Sequence, residues 1–183
     1  WPLPMIGAWV ASAVMVLAEP APPPPWPSTT ALFEELKQSP EGSAQLAIHH
    51  RLLGHYWRDV ASDGDKALPE VELLAPGARF SACGNASASN AYCPESAQIG
   101  IDARGLLSRL RLQSSPSTEL TALTVLAHEW GHHVNQAIDQ GPFKGREEDA
   151  ADWRAGRYLG WLMANQALSV EQFTEAANIL FRI

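Results

Sequence analysis

Apolar positions recur at helical spacing in several separate stretches of this chain. In residues 29–39, Leu32, Phe33 and Leu36 fall on one face, and Pro40 stops the run. Residues 43–60 place Leu46, Leu53 and Trp57 on a single stripe and predict a longer helix. Val71-Glu72-Leu73-Leu74 reads as a short strand closed by Pro76-Gly77, and Gln98-Ile99-Gly100-Ile101-Asp102 as a second. Pro116 suits the first turn of a long helix over residues 117–137. Gly141-Pro142 closes that region, and residues 148–164 read as another helix. Ser169-Val170-Glu171-Gln172 is a capping box opening a last helix that ends near Phe181. There is no internal repeat and no glycine-rich phosphate loop. The layout predicts an α+β fold, rich in helix, with a small β-sheet.

Upstream the pattern changes. Residues 1–18 carry no charge, and from Met5 to Ala18 only Ser12 is polar. A stretch of about 18 residues is at the lower limit for a membrane-spanning helix. Val16-Leu17-Ala18 also has the small-residue character of a signal-peptide cleavage site, and a buried core helix is the third reading. A retained membrane anchor is the expectation. Residues 19–28 are dense in proline and predict a stiff polyproline II spacer. The expected organisation is an anchor over 1–18, a linker over 19–28 and a folded domain over 29–183.

Composition narrows the function. With 183 residues, 46% hydrophobic and 18% charged, the chain suits one packed domain with an appendage rather than a disordered polymer. Asp plus Glu number 20 against 13 Lys plus Arg, for a net charge of −7, which argues against nucleic acid as a partner. Two cysteines are too few for a disulfide-rich mini-protein or a four-cysteine zinc site.

The chemistry lies in the long helix, at Ala127-His128-Glu129-Trp130-Gly131-His132-His133-Val134. His128 and His132 are four apart, so both imidazoles leave one face of the helix, one turn apart. That spacing lets two neutral nitrogens reach one zinc ion. Glu129 follows the first ligand, where its carboxylate can reach a water at the metal rather than the metal itself. Such a pattern also arises by chance, so the helix and a third ligand have to carry the argument. Glu148 and Asp152, again four apart, suit a ligating carboxylate and a carboxylate that accepts the free N–H of a zinc-bound histidine. Glu147 is a rival ligand, although its own i+4 partner is Ala151. An acidic first turn favoured by the helix dipole is the alternative to both.

Three segments together resemble the bacterial neutral zinc metallopeptidases, relatives of the gluzincin peptidases. The H-E-x-G-H-H helix of that family corresponds to the run from His128 to His133. Its E-L-Q-A-D-C-F-A-G stretch corresponds to Glu148-Asp149-Ala150-Ala151-Asp152-Trp153-Arg154-Ala155-Gly156. Its cysteine segment corresponds to Cys83-Gly84-Asn85-Ala86-Ser87-Ala88-Ser89-Asn90-Ala91-Tyr92-Cys93-Pro94, followed by Ile99-Gly100-Ile101-Asp102. The resemblance spans residues 44–183. Trp153 stands where the family has Cys, Ser89-Asn90-Ala91 replaces a Gly-Pro-Phe, and the loop between the two zinc segments is short. The resemblance implies a peptidase with one zinc ion held by His128, His132 and Glu148.

Three protein ligands leave a fourth position for water, the arrangement of a catalytic zinc. Glu129 is expected to take the proton of that water and pass it to the leaving amine. Asp152 is expected to orient a ligand histidine. Tyr92, Tyr158 and His133 are candidates for contacts to the oxyanion or substrate, His133 being the one better suited to packing. The strand over 99–101 is the expected edge for an extended peptide substrate. His49, His50 and His55 read as ordinary helix or surface residues, since none is four from another. Cys83 and Cys93 enclose a short loop and, with the anchor, predict a disulfide in an oxidising space, so the domain is expected on the extracytoplasmic side of a membrane. Asn85-Ala86-Ser87 fits a glycosylation sequon. The expected partners are a peptide or protein substrate, the membrane through residues 1–18, and other transmembrane subunits. A second function class is a non-catalytic zinc-binding subunit of a larger membrane complex.

Overall fold

The computed structural model describes residues 27–40, 42–60, 67–84, 89–110, 112, 115–136 and 144–183. The hydrophobic stretch 1–18, most of the proline-rich linker and the Asn85 sequon lie outside the described residues. Among the described residues, no helix is long and apolar enough to cross a membrane.

Helix α1 (Thr29–Gln38) begins where Ser28 accepts the Ala31 N–H at 3.2 Å. Helix α2 (Ser43–His55) runs directly into a π-helical turn, Tyr56–Val60, so the expected 43–60 helix is one element whose pitch widens. The sheet has three strands, β1 (Glu70–Leu73), β2 (Ala91–Cys93) and β3 (Gln98–Ile101), in the order β1-β3-β2. β1 is parallel to β3 and β2 is antiparallel to it, with Val71 and Tyr92 both opposite Ile99. Helices α3 (Ala103–Arg109), α4 (Thr118–Asn135), α5 (Glu147–Ala164) and α6 (Val170–Leu180) complete the domain. The helix-rich α+β class is as expected.

Two corrections concern local signals. β3 is paired along both sides, so the 99–101 strand has no edge to offer a peptide; β1 and β2 are the edges. Pro116 precedes the cap of α4 rather than entering its first turn, because Ser117 accepts the Leu120 N–H at 3.0 Å and is itself the N-cap. The Ser169–Gln172 capping box forms as predicted.

Helix α4 is buried on nearly every side. Its residues from Leu120 to Gly131 are all buried, which is the signature of a central rather than a surface helix. It packs against α2, α3, α5, α6 and the two strands β2 and β3. Trp57, Trp130 and Tyr158 are the largest fully buried side chains of the core. One contact decides how closely α5 approaches. A Cβ added to Gly131 would lie 2.7 Å from both the Cα and the carbonyl oxygen of Ala151, so only glycine lets the helices cross at this separation. On α4 this crossing point adjoins His132, and on α5 it lies between Glu148 and Asp152.

Candidate metal centre

The α4–α5 crossing brings three donor atoms together. His128 Nε2 and His132 Nε2 are 3.1 Å apart. Glu148 Oε2 lies 3.2 Å from the first and 3.3 Å from the second. These residues form a group able to hold one metal ion. The spacing can be tested against coordination geometry. Ligands about 2.0–2.1 Å from a tetrahedral ion lie roughly 3.3–3.4 Å from each other. The observed triangle matches that edge length to within a few tenths of an ångström on every side. Two imidazole nitrogens this close also cannot both present a proton inward. One shared proton in the metal-free chain, or one cation between the three donors, satisfies this arrangement. Glu147, the rival ligand, is not in the group; its carbonyl accepts the Asn135 side-chain N–H at 3.4 Å.

Asp152 lies where its i+4 spacing predicts, with Oδ1 2.9 Å from His128 Nδ1. An acceptor there keeps the proton on Nδ1 and turns the Nε2 lone pair toward the other two donors. The charges follow from these contacts. Burial works against a charged His128, yet the carboxylates of Asp152, Glu148 and Glu129 outweigh it and lift its pKa to about 9 in the metal-free chain. His132 moves the other way, lowered by burial and by the neighbouring His128. Glu148, hydrogen-bonded to His128, is held down at about 2. The site thus offers an ionised carboxylate and a histidine whose extra proton a metal would displace.

Glu129 is buried at the same cleft. Burial raises its pKa to about 7; the charge of His128 opposes this, that of Glu148 adds to it, and the Tyr92 backbone N–H donates to the carboxylate. β2 therefore lies against this carboxylate, although no hydrophobic alternation marks those three residues as a strand. The cleft is about 900 Å³ and is lined by His128, Glu129, His132 and Glu148 together with β2. A second cavity of about 740 Å³ lies against α1, α2 and the start of α4 and includes none of these residues.

The other sequence-predicted contacts separate. Tyr92 lines the cleft, but its hydroxyl is engaged with His133 Nδ1 at 3.0 Å. His133 is nearly buried, and its Nε2 donates to the Ala67 carbonyl at 2.9 Å, so Nδ1 accepts from Tyr92. His133 is a packing residue that fixes Tyr92, in line with the reading that suited it better. Tyr158 is a correction: it is fully buried, outside the cleft, with its hydroxyl against His49 Nδ1 and the His49 carbonyl, both at 3.3 Å. His49 and His55 are likewise core rather than surface residues. His55 Nδ1 meets Asp59 Oδ2 at 2.9 Å, and His50 packs its ring edge-on to Trp130. Cys83 and Cys93 form a disulfide with Cα atoms 5.4 Å apart, so neither offers a thiolate to a metal.

Asp102 ends the predicted second strand and the quoted motif, and its role is structural and local to the site. Its fully buried carboxylate caps α3 through the Gly105 N–H at 2.7 Å and receives the Gly77 N–H at 2.9 Å. Its own N–H donates to the Asn90 side chain at 2.6 Å. One carboxylate thereby joins the loop after β1 to the start of α3, and its backbone reaches the residue before β2. An Asp at the position just before a helix is the signal that marks such a cap.

No protein-family model matches the chain, and no curated protein and no solved structure matches it. The resemblance to the neutral zinc metallopeptidases therefore rests on the quoted segments alone.

Proposed function

We propose that this chain is a zinc-dependent peptidase, with His128, His132 and Glu148 as ligands and Glu129 as general base. The observation that carries the reading is the donor triangle, 3.1–3.3 Å on each side, set beside a buried carboxylate in one cleft. Two imidazoles and one carboxylate are the donor set of catalytic zinc rather than of magnesium or calcium, which take oxygen ligands. Bound there, zinc would supply Lewis acidity and a water of lowered pKa. The chain's own residues do the rest. Glu129, buried beside the three donors, is placed to accept a proton and return it to a leaving amine. Tyr92 N–H lies beside that carboxylate, and Asp152 keeps His128 in the ligating tautomer. β2, an edge strand lining the cleft, replaces β3 as the strand an extended peptide would meet.

The disulfide supports an oxidising, extracytoplasmic location for the domain. Attachment to a membrane through residues 1–18 belongs to the same proposal. The reading as a non-catalytic subunit of a membrane complex leans on that N-terminal stretch, whereas the buried, hydrogen-bonded Glu129 favours catalysis. The test is metal content followed by peptide hydrolysis. One zinc per chain is expected, lost in His128→Ala. Glu129→Gln is expected to keep zinc and lose about 10²–10⁴-fold in turnover. Cleavage by Glu129→Gln at the rate of the unmodified protein would overturn the assignment.

A further inference from the structure

Away from the metal ligands, the cleft changes sign. The chain as a whole is acidic, with 20 Asp plus Glu against 13 Lys plus Arg. Yet among the described residues the acidic side chains lining the cleft are Glu129 and Glu148, and both are engaged at the centre. The other charged side chains that line it among the described residues are Arg79, Arg109 and Arg182. No ion pair to the Arg79 or Arg182 side chain is present among the described residues. Arg109 donates to Ser89 Oγ at 2.8 Å and lies 3.9 Å from Asp102 Oδ2, contacts that hold it while leaving further donors to spare.

The arginines are also placed by structure rather than scattered. Asp102 binds the N–H of Gly77, two residues before Arg79, and caps the helix that ends in Arg109. One buried carboxylate therefore fixes both arginine-bearing segments on the same wall. The Asp102 carboxylate accepts two backbone N–H groups and lies 3.9 Å from one Arg109 nitrogen, so Arg109 keeps further donors for the cleft. Guanidinium groups favour planar, two-pronged contacts with carboxylates.

We infer that this wall selects peptides by a carboxylate close to the scissile bond. This rests on the peptidase reading and adds its substrate class. The carboxylate comes from an Asp or Glu side chain or from the C-terminus of the peptide, and the chemistry of recognition is the same for both.

Binding and cleavage are measured separately. Zinc-loaded Glu129→Gln protein is titrated with fluorescent hexapeptides that carry Glu or Gln at each position in turn, each as the free acid and as the C-terminal amide. Cleavage of the same peptides is followed with the unmodified chain. The expected result is tighter binding of carboxylate-bearing peptides, falling as salt is raised. Arg79→Gln, an exposed position, should reduce the acid-to-neutral ratio roughly threefold to fivefold, and Arg109→Gln should reduce it similarly. A preference tied to Glu but indifferent to amidation identifies a side-chain carboxylate. A preference abolished by amidation identifies a peptide C-terminus. Equal binding of acidic and neutral peptides, no binding of either, or a ratio unmoved in both arginine variants overturns the inference. Cleavage without charge preference would leave the peptidase reading standing. Charge-selective binding without any cleavage would do the reverse.

Discussion

Replacing Gly131 by Ala tests whether the close α4–α5 crossing sets the metal geometry. The added methyl would meet the Cα and carbonyl oxygen of Ala151 at 2.7 Å, whereas ordinary contact starts at 3.4 Å. The helices must therefore separate by about 0.7 Å, or tilt by an equivalent amount, at the level of the ligands. Metal–ligand distances tolerate only about 0.2 Å. Glu148 and Asp152 sit on the displaced helix, so both the third ligand and the contact to His128 Nδ1 move. Overpacking of this kind costs about 1–3 kcal/mol, offset by roughly 1 kcal/mol because Ala favours the helix over Gly. The folded metal-free chain should thus survive, while zinc affinity falls by roughly 10²-fold. Competition with a chromogenic chelator gives the affinity, and melts with and without zinc give the stability. Gly156→Ala on α5 is the control, since a Cβ there meets nothing within 4 Å. It should bind zinc normally and gain up to about 1 kcal/mol. Ala151→Gly should not rescue Gly131→Ala, because the obstructing atoms are backbone. A Gly131→Ala protein with unchanged zinc affinity and melting temperature would refute the packing argument.

Asp152→Ala should weaken zinc binding about tenfold to a hundredfold through loss of the His128 Nδ1 contact, measured by the same competition; unchanged affinity would remove its positioning role. Acid should destabilise the fold through His49, which burial holds at about 4, below its ordinary 6.5. The sign follows from linkage: the unfolded chain takes up the proton first, so stability is full above pH 6.5, falls as pH drops from there, and levels off below about 4. The loss reaches roughly 3 kcal/mol. It is read as the difference between the metal-free protein and His49→Gln, because Glu129, raised to about 7, shifts stability in the opposite sense on acidification. Identical pH profiles for the two proteins would contradict the burial argument. Cys83→Ser/Cys93→Ser should cost about 2–3 kcal/mol in denaturant melts; finding two free thiols in the native protein would dispose of the disulfide itself.

The elements legible in the sequence were those with enough turns to show a period. α1, α4, α5 and α6 came within a few residues of their observed bounds, because each runs ten residues or more and α1, α4 and α6 also carry a serine cap. The i+4 pairs His128–His132 and Glu148–Asp152 were legible for the same reason. What the period cannot carry was missed. β2 has three residues and α3 has seven, too few for alternation or a helical stripe. The roles of Tyr158 and His49 were equally hidden, since their pairing joins positions 109 residues apart and depends on how α2 and α5 pack. Gly131 is a helix-weakening residue beside a ligand in the quoted motif, and its reason becomes visible once Ala151 is placed against it.

On the proposed mechanism, these two classes of feature divide the site in function as well. The metal donors come from α4 and α5, and their geometry depends on the crossing at Gly131. The carboxylate of Glu129 also starts on α4, but its hydrogen bond comes from Tyr92 on β2, which the disulfide at Cys93 and the Tyr92–His133 contact hold in place. Perturbing the crossing should therefore remove the metal. Perturbing β2 should leave the three donors where they are and misdirect the proton acceptor. Cys83→Ser/Cys93→Ser and Tyr92→Phe belong to the second class and should keep one zinc per chain while losing turnover. Gly131→Ala and Asp152→Ala belong to the first and should lose both together. A cysteine variant that lost zinc in proportion to its activity would show that β2 supports the ligands after all, and the separation between binding and proton transfer would fail.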